Sequence, residues 1–256
     1  MNRIERAFSN GKAFIPFITA GDPSIEVTER LVHELANAGA DLIELGIPFS
    51  DPMAEGPVIQ AADNRALSAG ATTDKIFDMV KRIRRTLDIP IAFMTYFNPV
   101  FSYGTERFLY NCKEAGVDAI IVPDLPYEER DELKPYCERS GISYISMIAP
   151  TSKERIDRIV TEAEGFIYCV SSLGVTGVRS HLELDAESMI KRVKEFKDIP
   201  CAIGFGIATP EQAKAMAEIS DGVIIGSAIV RIIGQYGKDC VKPVTEYVRQ
   251  IIDAIK

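Results

Sequence analysis

The sequence LIELGIPFSDPMAEGPVIQ, residues 42–60, contains the pattern on which the fold prediction depends. Its first half belongs to a run, DLIELGI (41–47), that is apolar on consecutive positions apart from Glu44. Consecutive apolar residues, in place of strict alternation, indicate a strand that is covered on both faces, as in parallel sheets. A Pro-rich loop with Asp51 and Glu55 follows. The stretch therefore predicts a buried parallel strand that carries an acid and leads into a long loop.

Runs of the same type recur along the chain and alternate with segments of helical period. The eight predicted strands are AFIPFIT (13–19), DLIELGI (41–47), PIAFMTY (90–96), DAIIV (118–122), ISYISMI (142–148), GFIYCV (165–170), PCAIGF (200–205) and DGVIIG (221–226). In SIEVTERLVHELANAG (24–39), Val27, Leu31 and Leu35 are spaced at i, i+4 and i+8, which predicts an amphipathic helix. Eight such units in 256 residues predict a closed (β/α)8 TIM barrel, an α/β fold, as one domain over 1–256. An open doubly wound sheet is the alternative.

One extra helix and two long loops complete the predicted architecture. Residues 1–10 precede the first strand and place Ile4 and Phe8 one turn apart, which predicts a short helix under the barrel. The connections at 48 to about 60 and 171 to about 182 exceed the usual length and follow strands 2 and 6. Because active sites of this fold lie at the carboxyl ends of the strands, both loops are predicted to be lids.

Composition narrows the possible partners and the cellular compartment. A formal net charge of -8 and a pI near 5.0 argue against a nucleic acid or an anionic membrane and favour a small-molecule ligand. The five cysteines are scattered and form no CxxC pair, which indicates a reducing compartment. The first residues lack the apolar stretch of a signal peptide, and we therefore expect a cytoplasmic protein.

Glu44 is the first candidate for catalysis. An acid in the middle of a buried strand loses its hydration, which raises its pKa towards neutrality and allows it to donate and accept a proton. The alternative is a buried acid paired with a lysine or arginine, but no predicted strand ends in a basic residue. Taken alone, Asp51 and Glu55 are explained as a turn residue and a solvated loop residue.

The residues that are scarce also limit the chemistry. The only histidines, His33 and His181, lie far apart, so the sequence predicts no metal site. No lysine ends a predicted strand, and no Cys-His or Ser-His arrangement is visible. Acid–base catalysis by carboxyl groups is what remains.

Three glycine-bearing turns follow predicted strands 6, 7 and 8. They are LGVTG (173–177), GFGIA (204–208) and IGSA (225–228). Glycine lets backbone N–H groups approach a ligand, and a helix over 226–233 would direct its N-terminus inward, so the turns predict a phosphate site. The alternative is that the glycines only permit tight turns. Phe17, Tyr96, Tyr168 and Phe205 stand at strand ends and predict a flat apolar pocket beside this site.

Seven segments, in order and over nearly the whole chain, resemble one known family. They are PFITAGDP (16–23), ELGIPFSDPMAEGP (44–57), YFNPVFSYG (96–104), VPDLP (122–126), GVTG (174–177), GFGI (204–207) and IGSAIV (225–230). The chain is similar to the alpha subunits of tryptophan synthase. That family cleaves indole-3-glycerol phosphate to indole and glyceraldehyde 3-phosphate, in a (β/α)8 barrel that needs no cofactor or metal of its own.

The resemblance implies a role for individual residues. Glu44 would move protons between indole C3 and the glycerol hydroxyl, and Glu55 would accept a hydrogen bond from the indole N–H. Position 55 is Asp in the familiar form of the motif, and Thr176 would close over this second acid as part of the lid. The implied phosphate ligands are Gly177, Gly206, Gly226 and Ser227, and the implied indole pocket is Phe17, Tyr96, Ile121, Tyr168 and Phe205.

The resemblance also implies a partner. Alpha subunits of this family dock on a beta subunit that uses pyridoxal phosphate, in an αββα assembly, and indole passes between the two. The residues expected on the docking face are Pro48, Asp51, Asn98 and Asp124. Two alternatives stay open from the sequence: a stand-alone lyase that needs no partner, and a barrel that binds a phosphate ligand without catalysis.

Overall fold

A computed structural model describes residues 2–152, 154–170, 179–204 and 206–256 of the chain. Its centre is a parallel sheet of nine strands. The strands are β1 (Ala13–Thr19), β2 (Ile43–Gly46), β3 (Ile91–Met94), β4 (Ala119–Ile121), β5 (Ser143–Tyr144), β6 (Ser146–Ile148), β7 (Ile167–Val170), β8 (Cys201–Gly204) and β9 (Gly222–Ile225). Each of the eight predicted runs contains one of these strands or, in one case, two, which confirms the strand prediction.

The fifth predicted strand closes the barrel. The sheet order is β5-β4-β3-β2-β1-β9-β8-β7-β6, so β5 and β6 form its two edges. Both belong to the single run 142–148 and are separated only by Ile145. β5 pairs with β4, and β6 pairs with β7, both in parallel. Because the two edges belong to one chain segment, the α/β barrel is confirmed and the open-sheet alternative is wrong.

Helices cover the outside of the barrel. The α-helices are α1 (Arg3–Ala7), α2 (Ile25–Ala38), α3 (Pro57–Ser68), α4 (Thr73–Ile83), α5 (Phe97–Tyr103), α6 (Thr105–Ala115), α7 (Lys134–Ser140), α8 (Ile156–Thr161), α9 (Arg179–Phe196), α10 (Pro210–Ile219), α11 (Ser227–Tyr236) and α12 (Val241–Ile255). Short 3₁₀ turns occupy Tyr127–Glu132, Pro150–Ser152 and Gly237–Asp239. In the part of the chain that the structure describes, no helix has both the length and the apolar character of a membrane span.

Helix α2 shows how the sequence fixes these elements. Ser24 caps it by accepting a hydrogen bond from the Val27 N–H, and Val27, Leu31 and Leu35 are buried against the sheet. Gly39 ends the helix at φ 104°, in the left-handed region that glycine adopts without strain. The predicted helix and its inward face are confirmed.

The short helix α1 covers the amino-terminal end of the barrel. Asn2 and Glu5 form a reciprocal capping box that starts it. Ile4 is 1% exposed and packs in the interior cluster with Ile15, Leu42 and Phe166, residues at the beginnings of strands or just before them. This helix closes the bottom, as the spacing of apolar residues predicted, and leaves the opposite end open for a ligand.

The two predicted lid loops need correction. The loop after β2 ends at Gly56, because Pro57 occupies the first position of α3. Proline is well tolerated there, since the N–H that it lacks would have no acceptor within the helix. The expected end near residue 60 is therefore too late. After β7, residues 171–178 lie outside the described part of the chain. Helix α9 includes Arg179, so the expected end near 182 is also too late.

Candidate active site

A cavity of about 250 Å³ opens at the carboxyl ends of the strands. It lies opposite α1, on the face where the loops after β2, β8 and β9 emerge. Its described lining is Phe17, Glu44, Glu55, Gly56, Ile59, Met94, Tyr168, Gly206, Ile207, Ala208, Ile224, Gly226, Ser227, Ala228 and Arg231. The lining thus combines an apolar wall, two carboxyl groups and one arginine.

Strand β2 places Glu44 inside the barrel. Its neighbours Ile43 and Leu45 pack in the layer between sheet and helices, so the alternation of side chains turns Glu44 inward beside Phe17 of β1. Glu44 is 1% exposed, and neither carboxyl oxygen has a hydrogen-bond partner in the described part of the chain. Burial, followed by the charge of Glu55, raises the pKa of Glu44 to about 8.

Two other acids, the buried Asp22 and the half-buried Asp118, are paired with arginine. Asp22 accepts two hydrogen bonds from Arg65, at 2.8 and 2.7 Å, and Asp118 accepts one from Arg84 at 2.6 Å. Glu44 has no such partner among the described residues. Among the described residues, therefore, nothing forms a buried ion pair with Glu44, and none of them supplies a compensating charge to the carboxyl group that faces the cavity.

Glu55 enters the cavity from the loop after β2. The Tyr96 hydroxyl hydrogen-bonds its side chain, which lowers the pKa, but burial has the larger effect and raises it. The same hydroxyl accepts the Ala54 N–H at 2.8 Å. Gln60 of α3 donates to the Glu55 carbonyl at 2.7 Å. Hydrogen bonds with Tyr96 and Gln60 therefore hold the loop in place beside Glu55.

The opposite wall has the features of an anion site. Helix α11 begins at Ser227, and its first turn lines the cavity with backbone N–H groups that no helical carbonyl accepts. A side chain at Gly226 would have its Cβ only 3.1 Å from the Phe17 ring, so glycine permits this close approach. Arg231, one turn beyond Ser227, adds a positive charge to the same wall. Arg231 was not predicted from the sequence, although its i+4 spacing from Ser227 places it on the same helix face.

Two aromatic side chains form part of the apolar wall of the cavity. Phe17 and Tyr168 are 6% and 4% exposed and line it from β1 and β7. Tyr168 fits because its side chain passes Gly204 of β8, where a Cβ would stand 2.5 Å from the tyrosine hydroxyl. A flat aromatic ring held between these side chains would reach Glu44, since all three residues line one cavity.

A family model for the tryptophan synthase alpha chain matches residues 5–256. The chain belongs to the tryptophan synthase alpha chain family. The alpha chain of Lacticaseibacillus casei is 48% identical over 259 residues, which cover 100% of this chain and 97% of the relative. That of Thermoanaerobacter sp. (strain X514) is 49% identical over 244 residues, 93% of each chain.

Solved structures of the tryptophan synthase family share the fold. The alpha subunit of Legionella pneumophila str. Paris has a TM-score of 0.90 at 38% identity, over 100% of this chain and 98% of that one. A chain of the tryptophan synthase α2β2 complex of Pyrococcus furiosus, from work on mutual activation in that complex, has a TM-score of 0.88 at 36% identity, over 95% and 98%.

The structure brings together most of the residues that the tryptophan synthase resemblance singled out. Phe17, Glu44, Glu55, Tyr168, Gly206, Gly226 and Ser227 all line the cavity. Tyr96 stands behind Glu55, and Ile121 is buried in the barrel interior, and neither is part of the described lining. The predicted phosphate ligand Gly177, the lid residue Thr176 and the pocket residue Phe205 lie outside the described residues.

The residues expected on the beta-subunit face differ in exposure. Asp51, Asn98 and Asp124 are exposed on the side of the barrel where the cavity opens, and Asp124 accepts the Phe97 N–H at 2.9 Å. Pro48 is buried within this chain, so its side chain offers little surface to a partner. Within the described ranges, no group of three or more His, Cys, Asp or Glu side chains is placed to hold a metal ion.

A second buried acid was not recognised from the sequence. Asp63 on the inward face of α3 is 5% exposed, and burial is the main cause that raises its pKa to about 7. In the segment AADNRA (61–66), Asp63 is followed by two polar residues, and this pattern does not indicate that its side chain faces inward.

Proposed function

We propose that this chain is the alpha subunit of a tryptophan synthase and cleaves indole-3-glycerol phosphate to indole and glyceraldehyde 3-phosphate in tryptophan biosynthesis. The observation that carries the proposal is the unpaired, buried Glu44, which faces a cavity whose far wall suits a phosphate group. Family membership points the same way. We further propose that residues 1–256 form one barrel domain and that the protein works in the cytoplasm, where its five free cysteines stay reduced.

Glu44 is suited to both proton transfers of the cleavage. With its pKa near 8, the side chain holds a proton at neutral pH and delivers it to indole C3, which gives an indolenine cation. The resulting carboxylate then takes the proton of the glycerol hydroxyl while the adjacent carbon–carbon bond breaks. The bonding electrons return to the ring, indole leaves, and the hydroxyl carbon becomes the aldehyde. Glu44 thus regains from the hydroxyl the proton that it gave to C3, and is protonated again at the end of the reaction.

Glu55 stabilises the cation formed in between. Its carboxylate accepts the indole N–H, where positive charge grows as C3 is protonated. Tyr96 supports this ionised form by hydrogen-bonding the same side chain. Glutamate in place of the familiar aspartate keeps the charge and extends its reach by one methylene.

The phosphate end of the substrate fits the wall formed by α11. The cavity is lined there by Gly206, Gly226, Ser227 and Arg231, and the first N–H groups of a helix together with an arginine suit a phosphate. Gly177 is assigned to the same role through the family motif. Binding the phosphate here directs the indole ring towards Phe17, Tyr168 and the two carboxyl groups.

We also propose a beta subunit as partner. The related chain of Pyrococcus furiosus was solved within a tryptophan synthase α2β2 complex. On the face where the cavity opens, Met53 is 87% exposed and Phe101 is 66% exposed, an apolar surface next to the acids Asp51 and Asp124. Pyridoxal phosphate would belong to the beta subunit, and this chain would need no cofactor.

The test is indole release from indole-3-glycerol phosphate, measured with and without a tryptophan synthase beta subunit. We expect turnover that the beta subunit increases. Glu44→Gln keeps the size of the side chain but removes proton transfer, and should lower kcat by about 10²- to 10⁴-fold with substrate binding nearly unchanged. The control is Glu218→Gln, an exposed acid of α10. Wild-type turnover in Glu44→Gln, or no indole from the wild-type chain under either condition, contradicts the proposal.

A further inference from the structure

Asp63 is a buried acid that the cleavage mechanism leaves unused. It lies on the inward face of α3, one turn beyond Ile59, which lines the cavity. Within the described residues it forms no salt bridge, because the nearby Arg65 binds Asp22 instead. A buried carboxyl group without a cation is unfavourable unless something else requires it.

The carboxyl group of Asp63 holds the beginning of the loop after β2. It accepts a hydrogen bond from the backbone N–H of Phe49. The Phe49 ring packs on Tyr96, with centroids 5.7 Å apart and planes tilted by 37°. Asp63 is therefore linked to Tyr96 through one residue of the loop.

Tyr96 holds the other end of the same loop. Its hydroxyl accepts the Ala54 N–H at 2.8 Å and hydrogen-bonds the Glu55 side chain. The contacts run without a break from Asp63 through Phe49 and Tyr96 to Glu55. A shift of Phe49 would move the Tyr96 ring and, with it, the group that orients the second acid.

We propose that Asp63 is a positioning residue that, through Phe49 and Tyr96, fixes the loop after β2 so that Glu55 faces the cavity. The inference builds on the proposed function, in which Glu55 binds the indole N–H. Asp63 is not itself part of the described cavity lining, and in this proposal it acts through its neighbours.

The surrounding charges make this contact sensitive to pH. Glu55 of the loop and Asp22 after β1 both add to the effect of burial and raise the pKa of Asp63, whereas the Phe49 N–H lowers it. Arg65 is the cation nearest in sequence, and its guanidinium is engaged by Asp22. Asp63 thus loses its proton near pH 7, and its charge then opposes that of Glu55, since coupling between two acids is reciprocal.

Two substitutions separate the hydrogen bond from the charge. Asp63→Asn keeps an oxygen that accepts the Phe49 N–H, and Asp63→Ala removes it. We expect Asp63→Ala to lower kcat by about 10- to 100-fold with a much smaller change in KM, because a displaced catalytic group affects the transition state most. Asp63→Asn should keep kcat at pH 6 and lose the ionisation near pH 7 from the pH–rate profile. Asp253→Asn, an exposed acid of α12, is the control.

A probe that does not depend on activity completes the test. The chain contains no tryptophan, so Met53→Trp introduces a single fluorophore at an exposed position of the loop. Without substrate, its emission should change near pH 7, and the change should vanish with Asp63→Asn. Fluorescence anisotropy should fall with Asp63→Ala because the loop moves more freely. Circular dichroism confirms that each variant is folded.

The outcomes keep the two proposals apart. If the wild-type chain releases no indole, the proposed function fails, and the fluorescence measurements still decide whether Asp63 holds the loop. If the wild type is active and both Asp63 variants match it in kcat, pH profile and fluorescence, the role of Asp63 alone is refuted. Equal losses in both variants with an unchanged pH profile refute it as well, since they would show a purely structural effect.

Discussion

Single residues decide the chemistry that this barrel can perform. Glu44 is held by its strand and has no partner in the described part of the chain, so its environment supplies only desolvation. Glu55 is held by a loop, and burial raises its pKa as well, but the hydrogen bond with Tyr96 opposes that effect. Two carboxyl groups in one cavity thus differ in their surroundings, which agrees with the proposal that one transfers protons and the other stabilises charge.

At position 55 the charge should matter more than the length of the side chain. We expect Glu55→Asp to retain substantial indole release and Glu55→Ala to lose most of it, by roughly 10²-fold in kcat, because only the carboxylates stabilise the developing cation. Steady-state assays on the three proteins, with matched circular dichroism spectra, make the comparison. Equal rates for Glu55→Ala and wild type would leave the second acid without a role.

At the scale of elements, the apolar runs located every strand. Packing explains what the pattern missed. Ile145 separates β5 from β6 within the fifth run. The separation arises because β5 pairs with β4 whereas β6 pairs with β7, so the local sequence does not indicate it. The loop after β2 was predicted too long because Val58 and Ile59 read as loop residues, although Pro57 already starts α3.

The cavity could be anticipated in part. Glu44, Gly206 and Gly226 carry a chemical signal in the sequence, and all three line the cavity. Asp63 and Arg231 carry none that distinguishes them from surface charges on a helix. Their positions depend on how α3 and α11 rotate against the barrel, which follows from tertiary packing.

The close packing of β7 against β8 gives a prediction at this scale. Gly204→Ala would place a Cβ 2.5 Å from the Tyr168 hydroxyl and 2.7 Å from its ring, so the tyrosine must move into the cavity. We expect about 1–3 kcal/mol lower stability and weaker substrate binding. Thermal and urea unfolding, together with KM, measure both effects. Glu218→Gln, on the exposed side of α10, is the control and should change neither quantity. Equal effects of the two substitutions would contradict the packing argument.

For the whole molecule, the buried acids oppose stability at high pH. Burial raises the pKa of Glu44 from its ordinary 4.5 to about 8 and that of Asp63 from 3.8 to about 7. The unfolded chain releases these protons near pH 4, while the folded chain keeps them. Unfolding therefore becomes easier as the pH rises from about 4 to about 8, and above that range these two groups add no further change.

Removing the first of these acids should stabilise the barrel. We expect Glu44→Gln to raise the free energy of unfolding at pH 8 by a few kcal/mol, because the amide needs no proton to remain neutral. The gain should shrink as the pH falls and be small near pH 4.5. Urea unfolding at several pH values measures it, with Glu218→Gln as the control. A gain that does not depend on pH would place its cause outside the ionisation of Glu44.

The unpaired state of Glu44 also affects how a ligand arrives. The protein carries a formal charge of -8, which repels a phosphate ester during diffusional encounter. At neutral pH the Glu44 carboxyl group in the cavity is uncharged, so it adds nothing to that repulsion, while Arg231 and the positive end of α11 attract an anion to the opposite wall. The desolvation that readies Glu44 for proton transfer therefore also admits an anion to an acidic protein.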